Sequence, residues 1–162
     1  TAGRNATVDA AAIERWRDLG HDFARRPTGG GILRHGDDLA FGVALPGAAS
    51  ATAALAFIAT AVRDALLDFG IETSASGGAV TVPARCFAAP VGPELCYRGE
   101  KLLGLAARRV RGAVLVQGAL AVGRNVDLDR LVLGEGAKVD LRGTAFDAER
   151  FAAMLVARVA AG

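Results

Sequence analysis

Arg25-Arg26-Pro27-Thr28-Gly29-Gly30-Gly31-Ile32-Leu33-Arg34-His35 runs two arginines into a proline, a threonine and three consecutive glycines, and an apolar pair then leads to Arg34 and His35. Glycine has no Cβ, so three in a row let the backbone take angles closed to other residues and come close to a ligand. Exposed amides in such a loop bind carbonyl, carboxylate or phosphate oxygens, and flanking arginines add positive charge. A bare run of three glycines is most often a surface turn. The company of Arg25, Arg26, Thr28 and His35 makes it a candidate binding loop.

Working outward, Asp9 caps a helix through Ile13, Trp16 and Leu19 that Gly20 stops. Ile13 and Trp16 share a face, so Trp16 is read as packing. His21 to Arg25 reads as a short strand that delivers the loop, with His21 as an ordinary surface histidine. Ile32 to His35 continues as a strand, Gly36-Asp37-Asp38 turns, and Leu39 to Leu45 returns as the second arm of a hairpin. Ser50 caps the longest helix, about five turns. Leu55, Ile58, Val62, Leu66 and Phe69 recur along it at helical spacing. Short strands are expected at Ile71–Thr73 and Ala79–Val82. Further on, Asp127 to Val132 forms a short helix, and Asp147 caps a last one with Phe151, Met154, Leu155 and Val159 inward. Strands and helices interspersed with hairpins indicate an α+β domain, a mixed β-sheet packed with helices.

The chain has 162 residues, enough for one sizeable core, so residues 1–162 are read as one domain. Apolar residues make up 52% and charged residues 22%, the balance of an ordered globular chain. A net charge of +2 does not argue for nucleic acid as a partner. No apolar run is long enough to cross a bilayer, so no membrane partner is expected. Arg25, Arg26 and Arg34 form one basic group, and Arg108, Arg109 and Arg111 another; both could face an acidic partner or simply solvent. Cys86 and Cys96 form no Cys-x-x-Cys pair and have no histidines nearby. They read as free thiols in a reducing cytoplasm rather than as zinc ligands.

A second informative stretch begins at Arg85-Cys86-Phe87-Ala88-Ala89-Pro90 and continues through Pro93 and Glu94 to Arg98-Gly99-Glu100-Lys101-Leu102-Leu103-Gly104. Arg98-Gly99-Glu100 is a hairpin turn that places Lys101 at the start of a strand. From there the lysine can point its ammonium into a pocket, while Gly104 lets a ligand approach. By itself an unpaired cysteine such as Cys86 is usually a small buried hydrophobe.

Taken together, these motifs resemble the biotin/lipoate protein ligase family. Arg-Arg-x-Thr-Gly-Gly-Gly with its following histidine is similar to the loop that lines the acyl pocket of its lipoate-handling members. Gly3-Arg4-Asn5 resembles the turn ending an early strand there, and the family's opening strand-and-helix segment would precede it. The Cys-Phe-x-x-Pro, Glu, Gly-x-Lys-x-x-Gly series resembles the cysteine-dependent octanoyltransferases of the same family. The resemblance implies a class II synthetase-like fold. It also implies catalytic roles for Cys86, as the acyl carrier, and Lys101, which holds the thioester. Substrate contacts are implied at Arg25, Arg26, Thr28, Gly29, Gly30, Gly31, His35, Gly104 and Ala106. The implied activity is octanoyl transfer without a cofactor, from octanoyl-acyl carrier protein to a lipoyl domain (glycine cleavage H protein or dehydrogenase E2). An ATP- and Mg-dependent lipoate ligase is the alternative within the family. Leu105, Ala107, Gln117 and Ala119 stand where the family carries serine, glutamine, histidine and serine, and Gln117 cannot act as a general base. Those departures favour a third reading, a non-catalytic member that binds an acyl group or a partner subunit.

Overall fold

In the computed structural model, residues 1–75, 93–123, 125–133 and 138–162 are described. The helix caps form where their side chains direct them. Asp9 Oδ1 accepts from the Ala11 amide, Ser50 Oγ from Ala53 and Asp147 Oδ1 from Arg150, at 3.2, 3.0 and 2.7 Å. They open α1 (Ala10–Asp18), α2 (Ala51–Leu67) and α4 (Ala148–Ala161). Helix α3 spans Val126–Leu133. Helix α2 buries Ile58, Val62 and Leu66, and α4 buries Phe151 and Leu155, in one core. Trp16 on α1 stacks on Phe23 and donates its indole N–H to the Val132 carbonyl at 2.8 Å, so its role is packing, as its spacing indicates.

Among the described residues, five strands form one sheet in the order β1-β5-β4-β3-β2: β1 (Asp38–Pro46), β2 (Ser74–Ala75), β3 (Leu95–Tyr97), β4 (Glu100–Val110) and β5 (Ala113–Ala121). The ladders between them are antiparallel, and an isolated parallel bridge joins Ala2 to Arg25. Arg98 and Gly99 make the β3–β4 turn with φ of 53° and 79°, so Lys101 does begin a strand. The architecture is the α+β one expected.

Side chains alternate between faces along each strand, so the pairing register sorts them. Leu39–Leu120–Leu103 and Val43–Val116–Ala107 lie in rows across β1, β5 and β4 and pack into the core. On the opposite face the rows are Ala40–Ala119–Gly104 and Gly42–Gln117–Ala106. The first pair of rows is bulky, and the second carries only small side chains apart from Gln117.

Three strand expectations change. Residues His21 to Arg25 and Ile32 to His35 form no ladder; each touches Ala2 through one isolated bridge. Ala2 is fully buried and lies between them: its amide donates to the Ala24 carbonyl and its carbonyl accepts from Arg26, both at 3.0 Å. Strand β1 therefore does not pair back onto Ile32–His35. Its apolar alternation is satisfied by β5 across the whole register. Ile71–Thr73 is not in a strand, and pairing begins at Ser74. The strand expected at Ala79–Val82 lies outside the described residues.

Candidate active site

A cavity of about 150 Å³ opens over the small-residue face of the sheet. Ala40, Gly104, Ala106, Gln117 and Ala119 form its floor, and Thr1, Arg26, Leu33 and His35 wall it. Four of the five floor residues are small: Ala40, Ala119, Gly104 and Ala106 offer a methyl group or nothing where a core strand would offer Leu or Val, and Gln117 is the exception.

The glycine loop is fastened across this face. Thr28, wholly buried, donates its hydroxyl to Gln117 Oε1 on β5 at 2.7 Å. Arg26 turns its guanidinium back onto the loop, donating to the Gly29 carbonyl at 2.9 Å and to that of Gly31 at 2.8 Å. The N-terminal segment packs against the backbone of the loop. Gly3 and Arg4 donate to the Gly31 and Thr28 carbonyls at 3.1 and 2.8 Å, and a Cβ on Gly3 would sit 2.0 Å from the Gly30 oxygen. Arg25 donates to the Gly3 and Ala6 carbonyls. The structure thus brings Arg26, His35, Gly104 and Ala106 to the cavity wall. Arg25, Thr28 and Gly29 to Gly31 stand outside its lining and brace it.

Of the first basic group, Arg34 faces inward, whereas Arg25 is exposed and Arg26 half-buried. Arg34 is buried and pairs with Asp129 of α3 at 2.6 Å and Asp37 at 2.8 Å. Burial lowers its pKa, but the bonds to Asp37 and Asp129 outweigh that and hold it above its ordinary value. His35, next in sequence, bonds Asp38 Oδ2 through Nδ1 at 2.7 Å and Thr1 Oγ1 through Nε2 at 2.8 Å.

Lys101 does not line this cavity. Its ammonium lies 2.6 Å from Glu94 Oε2, and the two side chains are 4% and 5% exposed. Glu94 Oε1 also accepts the Leu105 amide at 3.3 Å, so the carboxylate occupies β4 just beyond its last pairing with β3, Leu103 to Leu95. Cys96, opposite Lys101 in the register, is buried and free. Burial, then the nearby Glu94 charge, pushes its thiol pKa up, with Lys101 opposing. Cys96 is a packing residue. Arg85 and Cys86 lie outside the described residues.

Residues 1–146 match the model of the lipoyl protein ligase A/B catalytic domain. The chain belongs to that family.

It is 31% identical to octanoyltransferase LipM of Halalkalibacterium halodurans over 123 residues, 67% of this chain and 44% of that protein. A lipoate protein ligase from T. acidophilum with bound lipoic acid superposes with a TM-score of 0.75 at 20% identity, covering 99% of this chain and 66% of that one. A lipoate-protein ligase A bound with ATP gives 0.71 at 21%, covering 92% and 62%. The bi-partite lipoate protein ligase of Thermoplasma acidophilum, described with its E2 lipoyl domain, gives 0.69 at 20%, covering 99% and 65%. These structural likenesses establish the lipoyl ligase fold. The chain spans less than half of the curated octanoyltransferase and just under two thirds of the ligases. Its named relatives are acyl- and lipoyl-transferring enzymes. Among the described residues, no helix is long and apolar enough to cross a membrane.

Several site residues carried no signal in the sequence. Asp37 and Asp38 read as a turn, yet Asp38 has a side chain only 2% exposed and bonded to His35. Glu94 belonged to a motif without a role, seven residues before the lysine it holds. Gln117 read as a lost histidine, and in the fold it anchors the glycine loop. His21, expected at the surface, is half-buried. Its Nε2 is buried without a hydrogen-bond partner among the described residues, beside a second cavity of about 270 Å³.

Proposed function

We propose that this chain transfers an octanoyl group from acyl carrier protein to a lipoyl-domain lysine. The observation that carries the reading is the cavity over the small-residue face of the sheet, in a chain similar to an octanoyltransferase. At about 150 Å³ it is smaller than the ~300–1,000 Å³ clefts that take drug-sized ligands, and a slender apolar chain suits it. The Cys86 thiolate attacks the octanoyl thioester, an S–C bond forms, and the carrier's thiolate leaves. The acceptor lysine then attacks the new thioester and releases Cys86. A thiol of ordinary pKa, about 8.5, needs a cationic setting for this at neutral pH. Arg85, Lys101 and His35 are the candidates to supply it. Arg26, His35, Gly104 and Ala106 would contact the acyl group, with Arg25, Thr28 and Gly29 to Gly31 holding the wall in place.

A lipoate ligase using ATP and Mg is the second reading, favoured by a structural neighbour bound with ATP. A binding subunit is the third, favoured by the bi-partite ligase. Intact mass after mixing with octanoyl-carrier protein, for the native chain and Cys86→Ser, separates them. A hydroxylamine-labile octanoyl adduct that Cys86→Ser lacks supports the transferase. With no adduct the cysteine route falls, and lipoylation with ATP and lipoate, or its absence, decides between ligase and binder.

A further inference from the structure

We infer that His35, oriented by Asp38, is the general base of this cavity, and that Thr1 Oγ1 relays to it the proton that the acceptor amine sheds. The inference rests on the acyl-transfer reading above and names the group that completes it.

Hydrogen-bond logic sets the direction of the chain. Asp38 Oδ2 accepts only, so His35 Nδ1 carries the hydrogen across their 2.7 Å contact. The other carboxylate oxygen accepts the Gly36 amide at 3.1 Å, which fixes the carboxylate from both sides. In the neutral ring Nε2 is then an acceptor, so across the 2.8 Å contact the Thr1 hydroxyl donates to it. Arg26 Nη1, 3.4 Å from Thr1 Oγ1, donates to that same oxygen and turns its hydrogen toward the imidazole. The result is a carboxylate–imidazole–hydroxyl chain with the polarity of a base relay.

Its position is as specific as its order. Thr1 and His35 both line the cavity, whereas the Asp38 side chain is 2% exposed against 36% for His35. The buried end is the orienting carboxylate and the open end is the base. Gln117, on the cavity floor, already accepts from Thr28 and cannot take a proton. Among the described residues, the charged groups around the imidazole are Asp38, Arg26, and Arg34, whose Nη1 donates to the His35 carbonyl at 3.3 Å; Asp37 is paired to Arg34, and the Thr1 nitrogen donates to the Leu33 carbonyl.

In the reaction the acceptor nitrogen forms a C–N bond to the acyl carbon. The bond to the leaving sulfur breaks, and its electron pair stays on sulfur. The surplus N–H proton passes to Thr1 Oγ1 as the hydroxyl proton moves to His35 Nε2. Asp38 stabilises the imidazolium, which returns a proton to the thiolate or to water.

Single-turnover acylation of a lipoyl domain tests this across pH, with octanoyl-carrier protein and with preformed octanoyl-adenylate as donors. In the native chain the transfer rate falls on the acid side. His35→Gln is expected to lose about 100-fold in rate together with that acid limb. Imidazole should rescue His35→Ala, and Asp38→Glu should recover more rate than Asp38→Asn. Thr1→Val, checked by its melting curve, should lose at least tenfold. A folded His35→Gln that keeps the native rate and acid limb overturns the base, and a fully active Thr1→Val overturns the relay. If His35→Gln does not fold, an Asp38→Asn variant with the native rate and limb overturns the base. A native chain that acylates from neither donor overturns the acyl-transfer reading itself, a result distinct from the others.

Discussion

Lys101 Nζ and Glu94 Oε2 are 2.6 Å apart in a setting that leaves neither side chain more than 5% exposed. Removing one member of a buried ion pair costs roughly 3–5 kcal/mol, whereas replacing both by apolar groups can be neutral. Lys101→Met and Glu94→Leu are each expected to lose stability of that order in urea unfolding, and the double variant to recover most of it. Activity assays of Lys101 variants need this control, because lost turnover in Lys101→Met could otherwise be lost folding.

Gly118 faces Phe41 across the β1–β5 ladder, and a Cβ there would lie 2.1 Å from the ring's Cζ. The ring packs against the core on the face that Leu39 and Val43 share. Gly118→Ala is expected to cost about 1–3 kcal/mol by overpacking. Phe41→Leu added to it should restore part of the loss, measured by the urea midpoint.

Thr28→Val keeps the shape of the buried side chain but strips Gln117 Oε1 of its donor. The expected loss is about 1–3 kcal/mol, with Thr28→Ser close to native. Because this bond fastens the glycine loop to β5, octanoate binding by calorimetry should weaken in Thr28→Val and survive in Thr28→Ser.

The Cys96 thiol has its pKa raised, first by burial and then by Glu94. The unfolded chain therefore gives up this proton at a lower pH than the folded one. The thiol's contribution to stability is complete below its unfolded value, about 8.5, and is lost as pH rises through the folded value. Urea unfolding from pH 7 to 10 should show the native chain losing stability faster than Cys96→Ala above that point. At pH 8 iodoacetamide should label Cys96 far more slowly in the folded chain than in urea.

Much of this was legible along the chain because it is local. Caps at Asp9, Ser50 and Asp147 act within three residues, the apolar stripe of α2 repeats every turn, and the Arg98-Gly99 turn is marked by Gly99, which takes its φ of 79° without a Cβ to hinder it. Likewise, the family was readable from the glycine loop and the Lys101 motif, which are contiguous. The loop's own work was not. Its Thr28 and Gly31 carbonyls accept from Arg4 and Gly3, more than twenty residues upstream, and no local pattern reports such an approach.

The sequence by itself determined the helices, the alternation of β1 and β5, and which residue types were available for chemistry. Tertiary structure decided their neighbours. Register across three strands lined up Ala40, Ala119 and Gly104 to open a cavity, and the burial of Ala2 displaced an expected hairpin. Folding also set Asp38 on His35 and Glu94 on Lys101. Charge pairs of this kind depend on distance and burial in space, quantities that spacing along a chain does not encode.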